Sequence, residues 1–121
     1  MKPLLSAALT LWLSCLPLAA QDEAGSGQGA LLRALDKVNG RTTDVELRSG
    51  DTAQMMGLNV QLRDCRFPAE NPTGDAFAFL TITEPDTNKI RFQGWMIASS
   101  PALNALDHNR YDIWVIRCIT S

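Results

Sequence analysis

Few residues in this chain have the chemistry to act on a substrate, and most of them lie close together. Ser99, Ser100, Asp107, His108 and Asp112 fall in one stretch near the C-terminus, and His108 is the only histidine in 121 residues. Serine, imidazole and carboxylate are the parts of a nucleophilic triad, in which the imidazole takes the serine proton and the carboxylate orients the ring. Adjacent side chains diverge, so Asp107 is poorly placed to orient His108, and Asp112 is the alternative. No Gly-x-Ser-x-Gly elbow surrounds either serine. A serine followed by proline, as in Ser100-Pro101, is the pattern of a helix cap. A small serine hydrolase using Ser99 or Ser100 with His108 therefore stands only as an alternative, and no catalytic residue is assigned.

Metal and cofactor chemistry find less support. One histidine with scattered aspartates lacks ligand spacing, and no calcium-loop pattern occurs. No metal site and no cofactor are expected. Asp36, Asp44, Glu46 and Asp51 read as solvated turn and strand faces. The aromatic residues say more. Trp95, Tyr111 and Trp114 flank the serine–proline segment. Either they pack beneath it, or one or two lie partly exposed and anchor a contact, as Trp and Tyr commonly do. The second reading defines a candidate binding face of Trp95, Ser99, Ser100, Asn104, His108 and Tyr111.

The elements that must position these residues begin with a leader. Lys2 is followed by an apolar run from Leu4 to Leu18, broken by Pro17, and Leu18-Ala19-Ala20 offers small residues before Gln21. That is the layout of a secretory signal peptide covering residues 1–20. About 15 apolar residues interrupted by proline fall short of the roughly 20 a membrane span needs. No membrane span is expected after cleavage; the alternatives are an uncleaved anchor and a lipoprotein acylated at Cys15. The leader implies a periplasmic or secreted chain. The formal net charge of −2 becomes −3 when Lys2 leaves. A mild acidic excess without a basic block argues against nucleic acid or anionic lipid as partner.

Cleavage leaves two cysteines, Cys65 and Cys118. In an oxidising compartment a pair is expected to bridge, and closing a loop of that length is worth about 4 kcal/mol. The alternative is two separate buried thiols. Two cysteines alone make neither a zinc site nor a C-x-x-C redox pair.

Residues 21–29 are polar and glycine-rich and read as a flexible leader to a single β domain over residues 30–121. Asn39-Gly40 suggests a type I′ hairpin turn, with β-formers after it; the residues before it also fit a helical stripe. Leu58, Val60 and Leu62 alternate with polar residues, as in a half-buried strand. Cys65 is out of step by one; a β-bulge near Arg63-Asp64 would return it to the core face, and without one the disulfide lies on the opposite side. Ala76 to Thr83 is apolar at nearly every position, which suggests a strand covered on both faces. In Lys89 to Ile97, Ile90, Phe92 and Met96 share one face, Trp95 and Ile97 the other. Gly94 suggests a bulge or a close contact. Ser100 and Pro101 suggest a short helix with Leu103 and Leu106 packed down and Asn104 pointing away. Tyr111 to Ile119 closes the chain. The fold class expected is all-β, a small antiparallel sandwich or barrel with one short helix before the last strand.

The segment Gly94-Trp95-Met96-Ile97-Ala98-Ser99-Ser100-Pro101-Ala102-Leu103-Asn104-Ala105-Leu106-Asp107-His108, continued by Tyr111-Asp112-Ile113-Trp114-Val115 and Cys118, resembles the signature of a secreted domain-of-unknown-function family found mainly in alphaproteobacteria. Leu32 to Gly40 resembles the start of that domain. The resemblance spans roughly residues 30–118 and departs from the pattern at Asp107 and Asn109. It implies export and carries over no activity or catalytic residue. Function is thus expected to be that of an exported, non-enzymatic interaction module whose partner is another envelope protein. A purely structural envelope component remains the further alternative.

Overall fold

Alternating apolar residues dictate which face of each strand turns inward. The structure is a computed structural model and describes residues 24–120; the expected signal segment and Gln21–Glu23 lie outside the described residues. Eight strands occur among the described residues: β1 (Ala24–Ser26), β2 (Gly29–Asp36), β3 (Thr42–Arg48), β4 (Thr52–Met55), β5 (Leu58–Pro68), β6 (Phe77–Thr83), β7 (Ile90–Ile97) and β8 (Tyr111–Ile119). They form two antiparallel sheets. In one, β5 pairs with β1, β4 and β6, and β6 pairs with β7; in the other the order is β3-β2-β8. The all-β expectation holds, with two sheets and no closed barrel.

The core lies between the sheets. Ala30, Leu32 and Ala34 of β2 and Ile113 and Val115 of β8 meet Leu58, Val60 and Leu62 of β5 and Ala78, Leu80 and Ile82 of β6, all essentially inaccessible to water. The expected bulge in β5 is present: Leu62 pairs with Leu80, then Asp64 with Phe79. The extra residue, Arg63, returns Cys65 to the inner face. There Cys65 is bonded to Cys118 of β8, with Cα atoms 5.7 Å apart and 53 positions between them in sequence. The bond joins the two sheets.

Several expectations are corrected. The short helix is absent, since residues 98–110 run as turns and irregular chain. Leu103 N–H donates to Ser100 O at 3.0 Å, so Pro101 occupies the second position of a single β-turn, where its fixed φ is favoured. Helix continuation would place Leu103 and Leu106 on one side. Instead Leu106 is buried and Leu103 is 73% exposed. The leader is ordered from Ala24 onward: β1 pairs with Arg66–Pro68, and Gly27 and Gln28 N–H donate to Cys65 O and Ile119 O. Gly29 then starts β2 so close to β3 that a Cβ would collide with Leu47 O. The Asn39-Gly40 hairpin forms, but with a longer loop: Asp36 N–H donates to Arg41 O, and Gly40, not Asn39, takes a positive φ of 75°. Finally, a register shift opposite Ile82/Thr83 turns Ile90 outward, 54% exposed, while Phe92 and Met96 stay inside.

β6 differs from expectation in a way that bears on function. Its inner residues are buried, but Phe77 and Phe79 are only half-buried on the outer face. Among the described residues no third layer covers them.

Candidate functional site

The outer face of the β5–β6–β7 sheet collects residues from all three strands. The bulge in β5 brings Asp64 opposite Phe79 and Arg66 opposite Phe77, and Trp95 of β7 pairs with Phe79 on its other side. Trp95 and Phe79 meet edge to face, with centroids 5.4 Å apart and planes at 81°, an arrangement aromatic quadrupoles favour. The Arg66 guanidinium lies 5.7 Å above the Trp95 ring and that of Arg63 lies 5.6 Å above Phe79. Arg66 Nε also donates to Asp64 Oδ2 at 2.8 Å. The result is two adjoining shallow depressions. One is lined by Arg63, Asp64, Arg66, Phe79 and Trp95, the other by Ala24, Arg66, Phe77, Trp95 and Ile97. Trp95 is 39% exposed and belongs to both.

The other residues of the candidate face have different partners. Asn104 folds back instead of pointing away: its Nδ2 donates to Trp95 O at 2.9 Å. It thereby satisfies a main-chain group of β7, the last strand of its sheet. A Cβ at Gly94 would lie 3.1 Å from that same Nδ2, so the close neighbour of this glycine is a side chain. Ser99 is tied to the loop before β6. Its Oγ donates to Asp75 Oδ2 at 2.6 Å, and its N–H donates to Asp75 Oδ1 at 3.0 Å. Burial raises the Asp75 carboxyl, but the bonds from Ser99 and from Ala76 N–H outweigh it and hold the group below the usual value. Ser100 is exposed and takes part in turns through its main chain.

His108 and Tyr111 belong to a cluster where β8 begins. His108 Nδ1 accepts from Arg110 N–H at 3.0 Å and Tyr111 N–H at 3.1 Å. That bonding puts the proton of the neutral ring on Nε2, which faces Glu84 Oε1 at 3.5 Å. The ring stacks on Tyr111 with centroids 5.2 Å apart. Beside it, Asp36 is not a solvated surface carboxylate but 6% exposed, because it continues the inward series Ala30, Leu32, Ala34. Arg110 answers it through Nε at 3.1 Å and Nη2 at 3.0 Å, and Val38 N–H adds a bond at 2.9 Å. The Arg110 guanidinium chiefly, opposed by burial and helped by Val38 N–H, holds the Asp36 carboxyl below the usual range.

The serines and the histidine are thus not assembled as a catalytic set. The Ser99 hydroxyl is bonded to Asp75, and both His108 nitrogens face other groups. Among the described residues no three His, Cys, Asp or Glu side chains gather in a way that could hold a metal ion. Sequence reasoning found Trp95 but missed Arg63, Arg66, Phe77, Phe79 and Ile97.

These observations define a class: a two-sheet β domain with one inter-sheet disulfide and an aromatic–arginine face open to solvent. The chain belongs to the family described as an uncharacterized protein conserved in bacteria (DUF2155), which matches residues 30–118. It is 27% identical over 88 residues to "Uncharacterized protein RP359" of Rickettsia prowazekii (strain Madrid E), covering 70% of this chain and 57% of that protein. The chain therefore spans little more than half the length of this relative. No solved structure matches it. Among the described residues no helix is long and apolar enough to cross a membrane.

Proposed function

We propose that this protein is an exported, non-enzymatic interaction module of the bacterial cell envelope, and that it holds another envelope protein on the outer face of the β5–β6–β7 sheet. The observation that carries the reading is Trp95. It is large, 39% exposed, and flanked by half-buried Phe77, Phe79 and Ile97 and by two arginines. Trp and Arg are the residue types that most often dominate interface energetics. Export is supported by the leader pattern and by an inter-sheet disulfide of the kind oxidising compartments sustain.

The test is crosslinking in cells followed by mass spectrometry, comparing wild type with Trp95→Ala. A partner captured by the wild type and lost from the variant is the expected result. Identical partner lists would remove the role given to this face, and a mature N-terminus other than Gln21 would count against cleavage after Ala20. The hydrolase alternative is checked with a serine-reactive fluorophosphonate; with Ser99 Oγ held by Asp75, no labelling is expected.

A further inference from the structure

We infer that the partner presents to this face an extended polypeptide segment in which a carboxylate side chain neighbours an apolar one; the inference rests on the interaction-module reading above. The two depressions differ in chemistry, and the difference specifies the occupant. The one containing Phe77, Trp95 and Ile97 is apolar apart from the arginine at its edge. The other holds both guanidiniums and one carboxylate. Asp64 is already engaged by Arg66 at 2.8 Å. Arg63 has no carboxylate within 4.0 Å among the described residues, and its guanidinium carbon lies 5.6 Å from the centroid of the Phe79 ring. An unpaired guanidinium is a planar fork of donors that binds a carboxylate through two parallel hydrogen bonds. The face thus carries a net positive charge on a chain whose overall charge is −2, so the complementary ligand is acidic.

Other ligand classes fit less well. A sugar ring stacks on an open aromatic face, whereas Trp95 has Arg66 over one face and Phe79 against it. An anionic membrane gains only about 1 kcal/mol per basic residue near its surface, and two arginines with an intervening aspartate supply little of that. In an extended segment, side chains two positions apart face the same way, so the apolar residue over Trp95 and the acidic one toward Arg63 stand at i and i+2.

The experiment is selection of phage-displayed random peptides on the full oxidised protein. Affinities of enriched peptides are then measured against wild type, Trp95→Ala, Arg63→Gln and, as a control on the opposite sheet, Arg33→Gln. Enriched peptides are expected to place Asp or Glu near an aliphatic or aromatic residue. Arg63→Gln, an exposed change that leaves the core intact, is expected to weaken them at least about tenfold. Trp95→Ala is expected to weaken them about 30-fold, with Arg33→Gln unchanged and affinity falling as salt rises. Peptides that need Trp95 but lack acidic residues, or that bind Arg63→Gln as well as wild type, overturn the carboxylate and leave the docking face standing. No Trp95-dependent peptide overturns both. Binding of the wild type to phosphatidylglycerol vesicles but not to peptides would replace the polypeptide with a membrane.

Discussion

Two regions of this molecule combine aromatic rings with charge, and they use them in opposite ways. At the start of β8, Asp36, Arg110, His108 and Lys37 are engaged inside the protein. Arg110 answers Asp36, His108 Nδ1 accepts two backbone N–H groups, Lys37 Nζ donates to His108 O, and Tyr111 is covered by the imidazole. On the outer face of β5–β7 the rings stay partly exposed and Arg63 has no acidic partner among the described residues. The first region resembles a fastening, which joins loops that the sheets leave apart. The second has the composition of an interface before its partner arrives. Similar residue types do not imply similar roles; what separates the two is whether hydrogen-bonding capacity is met internally.

The comparison can be broken in order of expected effect. The disulfide connects the regions, since Cys65 precedes Arg66 on β5 and Cys118 lies on the strand that Tyr111 begins. Replacing both cysteines with alanine is expected to lower unfolding stability by about 4 kcal/mol, read from denaturant midpoints, and to disturb both regions together. Next, Asp36→Asn leaves Arg110 without its charged partner and is expected to lower the melting temperature by roughly 5 °C or more, while peptide binding at Trp95 is unchanged. Its pH dependence has a definite sign. Because the folded carboxyl titrates below its ordinary value of 3.8, its contribution is complete above that value and is lost as pH falls through the folded one. Wild-type stability is therefore expected to drop on acidification below about pH 4, and the Asn variant to drop less over the same range.

Gly57→Ala sharpens the contrast from the other direction. A Cβ there would lie 2.8 Å from Tyr111 Cε2, so the ring must shift against His108. The expected cost is about 1 kcal/mol, with NMR shifts at His108 and Tyr111 and none at Trp95. The smallest stability effects belong to the open face. Trp95→Ala is expected to change stability by no more than about 1 kcal/mol and Arg63→Gln by no more than about 0.5 kcal/mol, although both are expected to weaken peptide binding. If Trp95→Ala unfolded the protein, the open face would have to be read as core.

Much of this architecture was legible in the order of residues. The alternation of Leu58, Val60 and Leu62 marked the inner face of β5, and the misfit of Cys65 by one residue called for the bulge that the ladder contains. The helix at Ser100-Pro101 was misread because local spacing cannot report that Leu106 has a place in the core and Leu103 does not. Asp36 was misread for the same reason: a carboxylate in step with an inward series looks like a surface residue until its guanidinium partner, distant in sequence, is known.

By itself the sequence pointed to an all-β body, to the inward face of β5 and to a Cys65–Cys118 bridge once a leader is removed, because these follow from a period of two, from turn-forming residues and from a single remaining partner. Only the tertiary structure decided which aromatic residues are covered and which charges are answered. Exposure and ion pairing depend on residues far apart along the chain, and a run such as Phe77–Thr83 reads the same whether a second layer covers it or solvent does.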